Sequence, residues 1–429
     1  MSKGIPPIRG MNDILPAQTA TWQQVEAVAR DLFAAYGYQE IRVPLLERTE
    51  LFKRSIGELS DIVMKEMYTF EDRNGESLTL RPEGTAGIVR AGLSNGLLYN
   101  QRQRLWCAGA MFRYERPQKG RYRQFHQLDA EALGFAGPDV DAELIFLSAR
   151  LWRELGLKGL KLKINSLGTP ESRQLYRKKL VKYFSAHAET LDDDSKRRLA
   201  ANPMRILDSK NPKMSGIIAD APLVTDFLDK ESEKHFAGLR RYLDEAGCEY
   251  QLEPRLVRGL DYYTRTVFEW VTDQLGAQDA VCSGGRYDGL VEQLGGKSMP
   301  AVGWALGMER LVALVEQAGL ASGQATPDVF FAMLGEDAEF KGMSLAEMLR
   351  NNLGGVAVEC NAGGGSFKNQ LKRADQSGAK LALILGAEEC AAGTIAIKPL
   401  RTEEPQQSCE QGKLVDRVRQ LLAADETDV

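Results

Sequence analysis

Apolar residues recur at steps of three and four near the start of the chain, at Trp22, Val25, Ala29, Leu32 and Tyr36. That spacing predicts an amphipathic helix over 19–37, with Gly37 placed to end it. The run GYQEIRVPLL (37–46) is strand-like and closes on Pro44, whose missing N–H suits an edge strand or a strand end. Between 104 and 135 the pattern changes. RLWCAGAMFRYE is a nearly continuous apolar run that turns polar, RPQKG is a short Gly-containing loop, and RYRQFHQLDAEALG follows. Together they predict an antiparallel hairpin. Alternation puts Gln127, Asp129 and Glu131 on one face of the second strand with Arg121, Arg123 and Phe125, and Leu128, Ala130 and Ala132 on the other. Arg113 and Glu115 share a face of the first strand by the same rule.

Residues 169–245 carry a more polar, helical pattern opened by the capping sequence Thr169-Pro-Glu-Ser. Within it, 173–198 contains Arg173, Arg177, Lys178, Lys179, Lys182, Lys196, Arg197 and Arg198. Strand signals return in RGLDYYTRTVFEWV (258–271), and AVGWALGMERLVALV (301–315) predicts a strand running into a helix. The small, polar stretch GLASGQATP near 320–327 marks a boundary. Beyond it, strands DVFFAML, VAVEC, KLALILG and TIAIKPL alternate with helices over 338–352, 366–377 and 413–424. That order predicts a separate α/β domain with a largely parallel sheet. There is no internal repeat.

Composition excludes several classes of function. The 43% apolar and 27% charged residues of this 429-residue chain are ordinary for a globular protein. No run approaches the ~18 apolar residues of a membrane helix, and the N-terminal MSKGIPPIRGMNDILP lacks the apolar core of a signal peptide. A cytoplasmic location without membrane contact is the expectation. The six cysteines (107, 248, 282, 360, 390 and 409) form no CxxC pair, and the three histidines (126, 187 and 235) cannot supply an HExxH site. No metal cage is expected.

The net charge of −4 conceals a strong local excess. From Gln101 to Arg123 there are seven Lys/Arg against one acid, Glu115, a local charge of +6. Charge runs usually form solvated faces, but these flank an apolar strand. They point instead to a phosphate-rich ligand held by planar guanidinium forks. Phe125 on the same face is placed either to stack a base or to pack in the core. Glu83, after Arg81-Pro82, gains meaning only if it joins Gln127 and Glu131 around an ammonium group. Tyr262 and Tyr263 face opposite ways in a regular strand, so both can line one pocket only if that stretch is irregular. Gly303-x-Ala305-x-Gly307-x-x-Arg310 lacks the βαβ context of a dinucleotide fingerprint. GGGS (363–366) lacks the Lys-Ser/Thr of a P-loop and suits a flexible turn.

With these residues in view, the chain resembles the class II aminoacyl-tRNA synthetases, most closely the histidyl-tRNA synthetase family. GYQEIRVP is similar to motif 1, a dimer-interface element; FRYERPQKGRYRQF to motif 2; and GWALGMER to motif 3, ending in Arg310. LVRGLDYYTRTVFEW and CSGGRYDGL resemble signatures particular to the histidine enzymes, and LTLRPEGTAG (78–87) also matches. The resemblance covers essentially the whole chain from IRGMND (8–13) onward. It implies an α+β catalytic domain over 1–322, built on an antiparallel sheet flanked by helices, with a helical insertion over 170–245. A C-terminal α/β anticodon-binding domain would occupy 328–429. One departure is CNAGGGSFK (360–368), where a histidine expected near Ala362 is absent, so one anticodon-region contact is not carried over.

The resemblance further implies activation of L-histidine by ATP, with magnesium accompanying the phosphates, then transfer to the 3′ end of tRNA(His) by a homodimer. Arg113 and Arg258 would be the catalytic cations at the α-phosphate. ATP would be held by Arg113, Glu115, Arg121, Phe125 and Arg310. Histidine would be held by Glu83, Thr85 and Gln127 at its ammonium and by Glu131 and Tyr263 at its imidazole, with Arg113, Arg258 and Tyr262 beside it. Arg116, Gln118 and Lys119 would reach the tRNA acceptor end, and the basic insertion would grip the acceptor arm. Two alternatives remain. One is a synthetase-like regulatory subunit that binds histidine without charging tRNA. The other is a class II synthetase for threonine, proline or glycine.

Overall fold

The structure is a computed structural model that describes residues 4–425 except 59, 119, 208, 210, 276–279, 324 and 325. The first amphipathic segment forms a helix over Pro16–Ala35, opened by a proline in its first turn where a missing N–H costs nothing. It buries Trp22, Val25, Ala29, Leu32 and Phe33. Gly37 follows it with φ +74°, the left-handed conformation that glycine adopts without a Cβ penalty. The run 37–46 is not one strand. Gln39–Glu40 pairs in parallel with the edge of the larger sheet, whereas Leu46–Arg48 joins a separate three-stranded sheet with Thr69–Glu71 and Ser77–Leu80. Pro44 falls in the stretch between, outside either ladder.

The larger sheet has eight strands in the order Gln39–Glu40, Gln103–Phe112, Gln124–Leu133, Ala301–Gly307, Ala280–Arg286, Thr264–Val271, Lys161–Ser166 and Gln251–Leu252. All its interior pairings are antiparallel, and only the short strands at the two edges are parallel to their neighbours. The hairpin runs unbroken from Gln103↔Leu133 to Phe112↔Gln124. Its alternation is as the pattern predicts. Leu128, Ala130 and Ala132 pack with Trp106 and Trp304 against the helices Pro16–Ala35 and Pro138–Glu154. The opposite face, with Leu105, Cys107 and Leu133, packs against the helix Thr85–Ser94 and the inserted helices.

The insertion holds helices over Pro170–Ser185, Asp193–Ala201, Ser215–Ala219 and Lys230–Glu245. Three are capped as their sequences require, with Thr169, Asp192 and Asp229 accepting from the backbone N–H groups of Ser172, Ser195 and Ser232. Tyr176, Leu180, Phe184, Ile206 and Met214 share one apolar cluster with Leu256, Val257 and Tyr262, so the insertion's core is continuous with the segment ahead of strand Thr264–Val271. That strand is shorter than the predicted 258–271, because residues 258–263 form an irregular loop.

Chain contacts divide the protein into two compact units, Met1–Gly323 and Gln324–Val429. The second has a five-stranded sheet in the order Val358–Cys360, Val329–Met333, Leu381–Leu385, Thr394–Pro399, Gln407–Glu410. It is mixed rather than largely parallel: the first two pairings are parallel and the last two antiparallel. Leu385 and Thr394 are joined by the short helix Ala387–Ala392, too little chain for the crossover a parallel pair needs. The edge strand Gln407–Glu410 escapes the apolar pattern because its residues are polar or half-exposed.

One glycine is fixed by the sheet. Gly303 lies opposite Glu131, and a Cβ there would stand 1.6 Å from Glu131 Oε2 and 2.6 Å from the Ala130 carbonyl oxygen. Gly303→Ala is therefore expected to lower stability by about 1–3 kcal/mol through overpacking, read as a lower midpoint in thermal denaturation; an unshifted midpoint would show that the Glu131 side chain moves aside freely.

Candidate active site

The site is built on the polar face of the hairpin strand Gln124–Leu133 where the helix Thr85–Ser94 begins. Glu83 precedes that helix, and its carboxylate accepts from the Thr85 N–H at 2.8 Å and the Ala86 N–H at 2.9 Å, two donors that the helix's first turn leaves open. Thr85 then donates from Oγ1 to Glu131 Oε1 at 2.5 Å. Tyr287 donates its hydroxyl to Glu131 Oε2. Glu131 is thus buried behind two hydroxyls. Burial holds its carboxyl well above the ordinary carboxylate range, against the opposing pull of those hydrogen bonds. Glu83 shifts the same way for the same leading cause, as does Asp129, with Glu83's charge adding to the rise at Asp129.

The opposite wall is cationic. The half-buried Arg113 donates from Nε to the Pro82 carbonyl at 2.8 Å, and its guanidinium lies 5.2 Å from the Phe125 ring centroid. Desolvation lowers its pKa, while the nearby acids, Glu66 and Glu83 foremost, favour its charge. Arg258 Nη1 meets Glu269 Oε1 at 2.9 Å, and Ser283 Oγ donates to that same oxygen at 3.0 Å. Arg310 donates from Nε to the Gly120 carbonyl at 3.1 Å and from Nη1 to the Ala280 carbonyl. Arg121 forms an ion pair with Glu115.

These groups converge on one cavity of about 230 Å³. Its walls include Glu83, Thr85, Arg113, Glu115, Arg121, Phe125, Gln127, Arg258, Tyr262, Tyr263 and Arg310, drawn from segments more than 200 residues apart. Tyr262 and Tyr263 both line it because loop 258–263 is irregular, which satisfies the condition that alternation imposes. A second cavity of about 250 Å³ lies beyond Arg310, which lines both. Gln127 Oε1 is buried without a hydrogen-bond partner, an acceptor facing a site that lacks a donor.

Some expectations change. Glu131 stands behind the wall, engaged by Thr85 and Tyr287. Arg258, expected as a cation at the α-phosphate, shares its charge with Glu269. In the hairpin loop Arg116 and Gln118 are exposed, whereas Lys119 lies outside the described residues. Arg177, Lys178, Lys179, Lys182, Lys196 and Arg197 are exposed on the insertion, but Arg173 and Arg198 turn inward, the latter onto Asp61 at 3.2 Å. Sequence reasoning assigned no role to Tyr287, Glu269 or Asp129. Tyr287 sits within CSGGRYDGL, and Asp129 shares the parity of Gln127 and Glu131, so each carried a signal. The pairing of Glu269 with Arg258 had none, because it depends on the loop's path. Among the described residues no group of three or more His, Cys, Asp or Glu is placed to hold a metal ion.

The chain matches the family described as Histidyl-tRNA synthetase over residues 10–311 and that described as Anticodon binding domain over 328–421. It is 57% identical over 423 residues to the histidine--tRNA ligase of Halorhodospira halophila (strain DSM 244 / SL1), covering 99% of this chain and 100% of that one. The crystal structure of apo S. aureus histidyl-tRNA synthetase aligns over 97% of this chain and 100% of its own, with TM-score 0.81 and 37% identity. A histidyl-tRNA synthetase structure from Nostoc sp. PCC 7120 shares the fold at TM-score 0.69 and 18% identity, over 98% of this chain and 100% of its own.

Asp129 yields a prediction. Both its carboxylate oxygens are buried without hydrogen-bond partners. Its raised pKa means that the folded state binds more protons than the unfolded one above the ordinary value near 3.8, so its contribution is complete at low pH and is lost as pH rises. Asp129→Asn removes that loss. Chemical denaturation at about pH 5 and about pH 8 should show stability falling less with pH in the variant than in the parent; parallel pH profiles would show that Asp129 is stabilised as a carboxylate.

Proposed function

The chain belongs to the histidyl-tRNA synthetase family, and we propose that the cavity beside the helix Thr85–Ser94 is where it performs that family's reaction. The protein is a class II histidine--tRNA ligase: it activates L-histidine with ATP to histidyl-adenylate, releasing pyrophosphate, and transfers the histidyl group to the 3′ end of tRNA(His), releasing AMP. The observation that carries the site assignment is a single cavity with an acidic wall and a cationic wall, the arrangement a zwitterionic amino acid and a polyphosphate require together.

Histidine's α-ammonium is held at Glu83 and at the unpartnered Gln127 Oε1, with Thr85 beside them. Each Glu83 oxygen already accepts one backbone N–H and keeps lone-pair capacity for another donor. The neutral imidazole offers one donor and one acceptor. Glu131 lies behind the cavity lining, engaged by Thr85 and Tyr287, and takes the imidazole donor once that wall parts, while the Tyr263 hydroxyl donates to the other nitrogen. An analogue lacking either nitrogen leaves a buried polar group unpaired, which is the source of selectivity.

The carboxylate of histidine attacks the α-phosphorus of ATP; the new oxygen–phosphorus bond forms as the bond to pyrophosphate breaks. Arg113 and Arg258 meet the charge developing on the α-phosphate, as preorganised cations in a site largely shielded from water. Magnesium accompanying ATP as part of the substrate would supply charge neutralisation on its phosphates. Adenine lies against Phe125 with Arg310 on its other side, and Glu115 and Arg121 exchange part of their mutual pairing for ATP. Arg116, Gln118 and Lys119 reach the acceptor end of tRNA, and the exposed basic residues of the insertion follow its arm. The domain from residue 328 reads unstacked anticodon bases.

The motif 1 segment supports a homodimer, since Leu45 and Leu46 beside it are exposed apolar side chains. No helix among the described residues is long and apolar enough to cross a membrane, and a tRNA substrate fits a cytoplasmic location. The regulatory alternative has less support, because the anticodon-binding region and Arg113, Arg258 and Arg310 are all present.

ATP–pyrophosphate exchange surveyed over the twenty amino acids without tRNA should depend on histidine alone; exchange with another amino acid, or none from folded protein, overturns the assignment. Arg258→Ala should lower that exchange by on the order of 10²–10³, and near-normal exchange would remove Arg258 from the phosphate. Deleting 328–429 should reduce tRNA charging far more than adenylate formation. Equal loss of both would mean that this domain supports the catalytic fold instead.

A further inference from the structure

Arg258 sits on backbone that belongs to no ladder. Residues 253–263 run outside any strand, so the position of this guanidinium depends on what holds the loop at its flanks. Ahead of it, Arg255 donates from Nε to the Ile218 carbonyl at 2.6 Å and from Nη2 to the Ala221 carbonyl at 3.2 Å. Behind it, Arg205 Nη1 donates to the Gly259 carbonyl at 2.7 Å, and Asn202 Nδ2 to Asp261 Oδ1 at 2.6 Å. Arg173 Nη1 reaches the Asp261 carbonyl at 3.2 Å. The partner residue in every one of these bonds lies in the insertion.

Two features make the grip specific rather than incidental. Arg205 is itself oriented, since Asp61 Oδ2 lies 3.7 Å from its Nη2 and 3.2 Å from Arg198 Nη2. Gly259, the residue next to Arg258, has no side chain of its own with which to anchor the turn. Its carbonyl is held from outside, and that bond fixes the Gly259–Leu260 peptide, one peptide beyond Arg258.

We propose that Arg205, Asn202 and Arg173 are positioning residues for adenylation. Through the Gly259 and Asp261 carbonyls and the Asp261 carboxylate, the insertion sets where the Arg258 guanidinium stands relative to Glu269 and the cavity. The insertion therefore serves the first half-reaction, before tRNA is engaged. The proposal rests on the assignment of Arg258 as a phosphate-binding cation. Its rival is a purely structural role in which these bonds only staple the insertion to the sheet.

The test is a double-mutant cycle on the full chain, read by histidine-dependent pyrophosphate exchange without tRNA. Arg205→Ala should lower kcat about 10- to 100-fold, the scale of a small displacement transmitted to a catalytic group, while the histidine KM stays within about twofold. In an Arg258→Ala background the same substitution should cost nothing further, because both act through one guanidinium. Arg205→Lys, which keeps one donor toward the Gly259 carbonyl, should recover part of the rate. Full exchange in Arg205→Ala, an equal fold-loss in both backgrounds, or a lowered melting temperature with kcat intact overturns the proposal. Should Arg205→Ala fail to fold, Asn202→Ala at its exposed contact takes its place in the cycle. Normal exchange in Arg258→Ala overturns the assignment of Arg258 and the proposal with it, whereas normal exchange in Arg205→Ala alone leaves that assignment standing.

Discussion

Burying the Glu131 carboxylate is the constraint on which the rest of the site depends. A carboxylate taken out of water must be hydrogen-bonded or protonated, and here two hydroxyls from different parts of the chain close over it. Thr85 can reach it only because its helix begins at that point over the hairpin face, and Glu83 fixes that beginning by accepting from the first turn. Tyr287 reaches it from the far side of the sheet's centre. Opposite it, Gly303 leaves the space the carboxylate fills. Four segments therefore agree on one register, and a slip of one residue in the hairpin would send Glu131 into the apolar layer.

The same strand separates two chemistries by parity alone. Leu128, Ala130 and Ala132 close the apolar layer under the helices, while Gln127, Asp129 and Glu131 carry the polar floor, Gln127 lining the cavity and the two acids buried behind it. Arginines from three distant segments then meet that floor from above. Acids and cations this close would collapse into ion pairs if all were mobile. Arg113 is tethered to the Pro82 carbonyl, Arg258 to Glu269 and Arg310 to backbone carbonyls, so the cavity between the walls stays open for ligands. Little covalent chemistry is asked of the protein, and rigidity of this kind is the main thing it supplies.

Much of this was legible in the chain. The three-and-four spacing of Trp22, Val25, Ala29 and Leu32, the alternation along 124–133, the cap at Thr169 and the break at 320–327 are local signals, and local signals survive folding when their apolar face finds a partner. The hairpin's excess of arginine also falls where Arg113 and Arg121 line the cavity. The misreadings have local causes too. The run 37–46 is apolar enough for a single strand, yet two sheets divide it. The pair Leu381–Leu385 and Thr394–Pro399 is antiparallel because the connection is short, a matter of chain length that apolar pattern does not encode.

By itself the sequence determined which residues could share a face, where many of the helices begin and end, and where arginines concentrate, because each follows from spacing along one chain. Tertiary structure alone decided that Tyr262 and Tyr263 line the same wall, that Tyr287 closes over Glu131, that Glu269 partners Arg258, and that the insertion holds the loop between them. Those outcomes join residues far apart in the chain through the path of an irregular loop. Such a path has no period to read: it is set by hydrogen bonds from whatever surface lies beside it, and that surface exists only once the chain has folded.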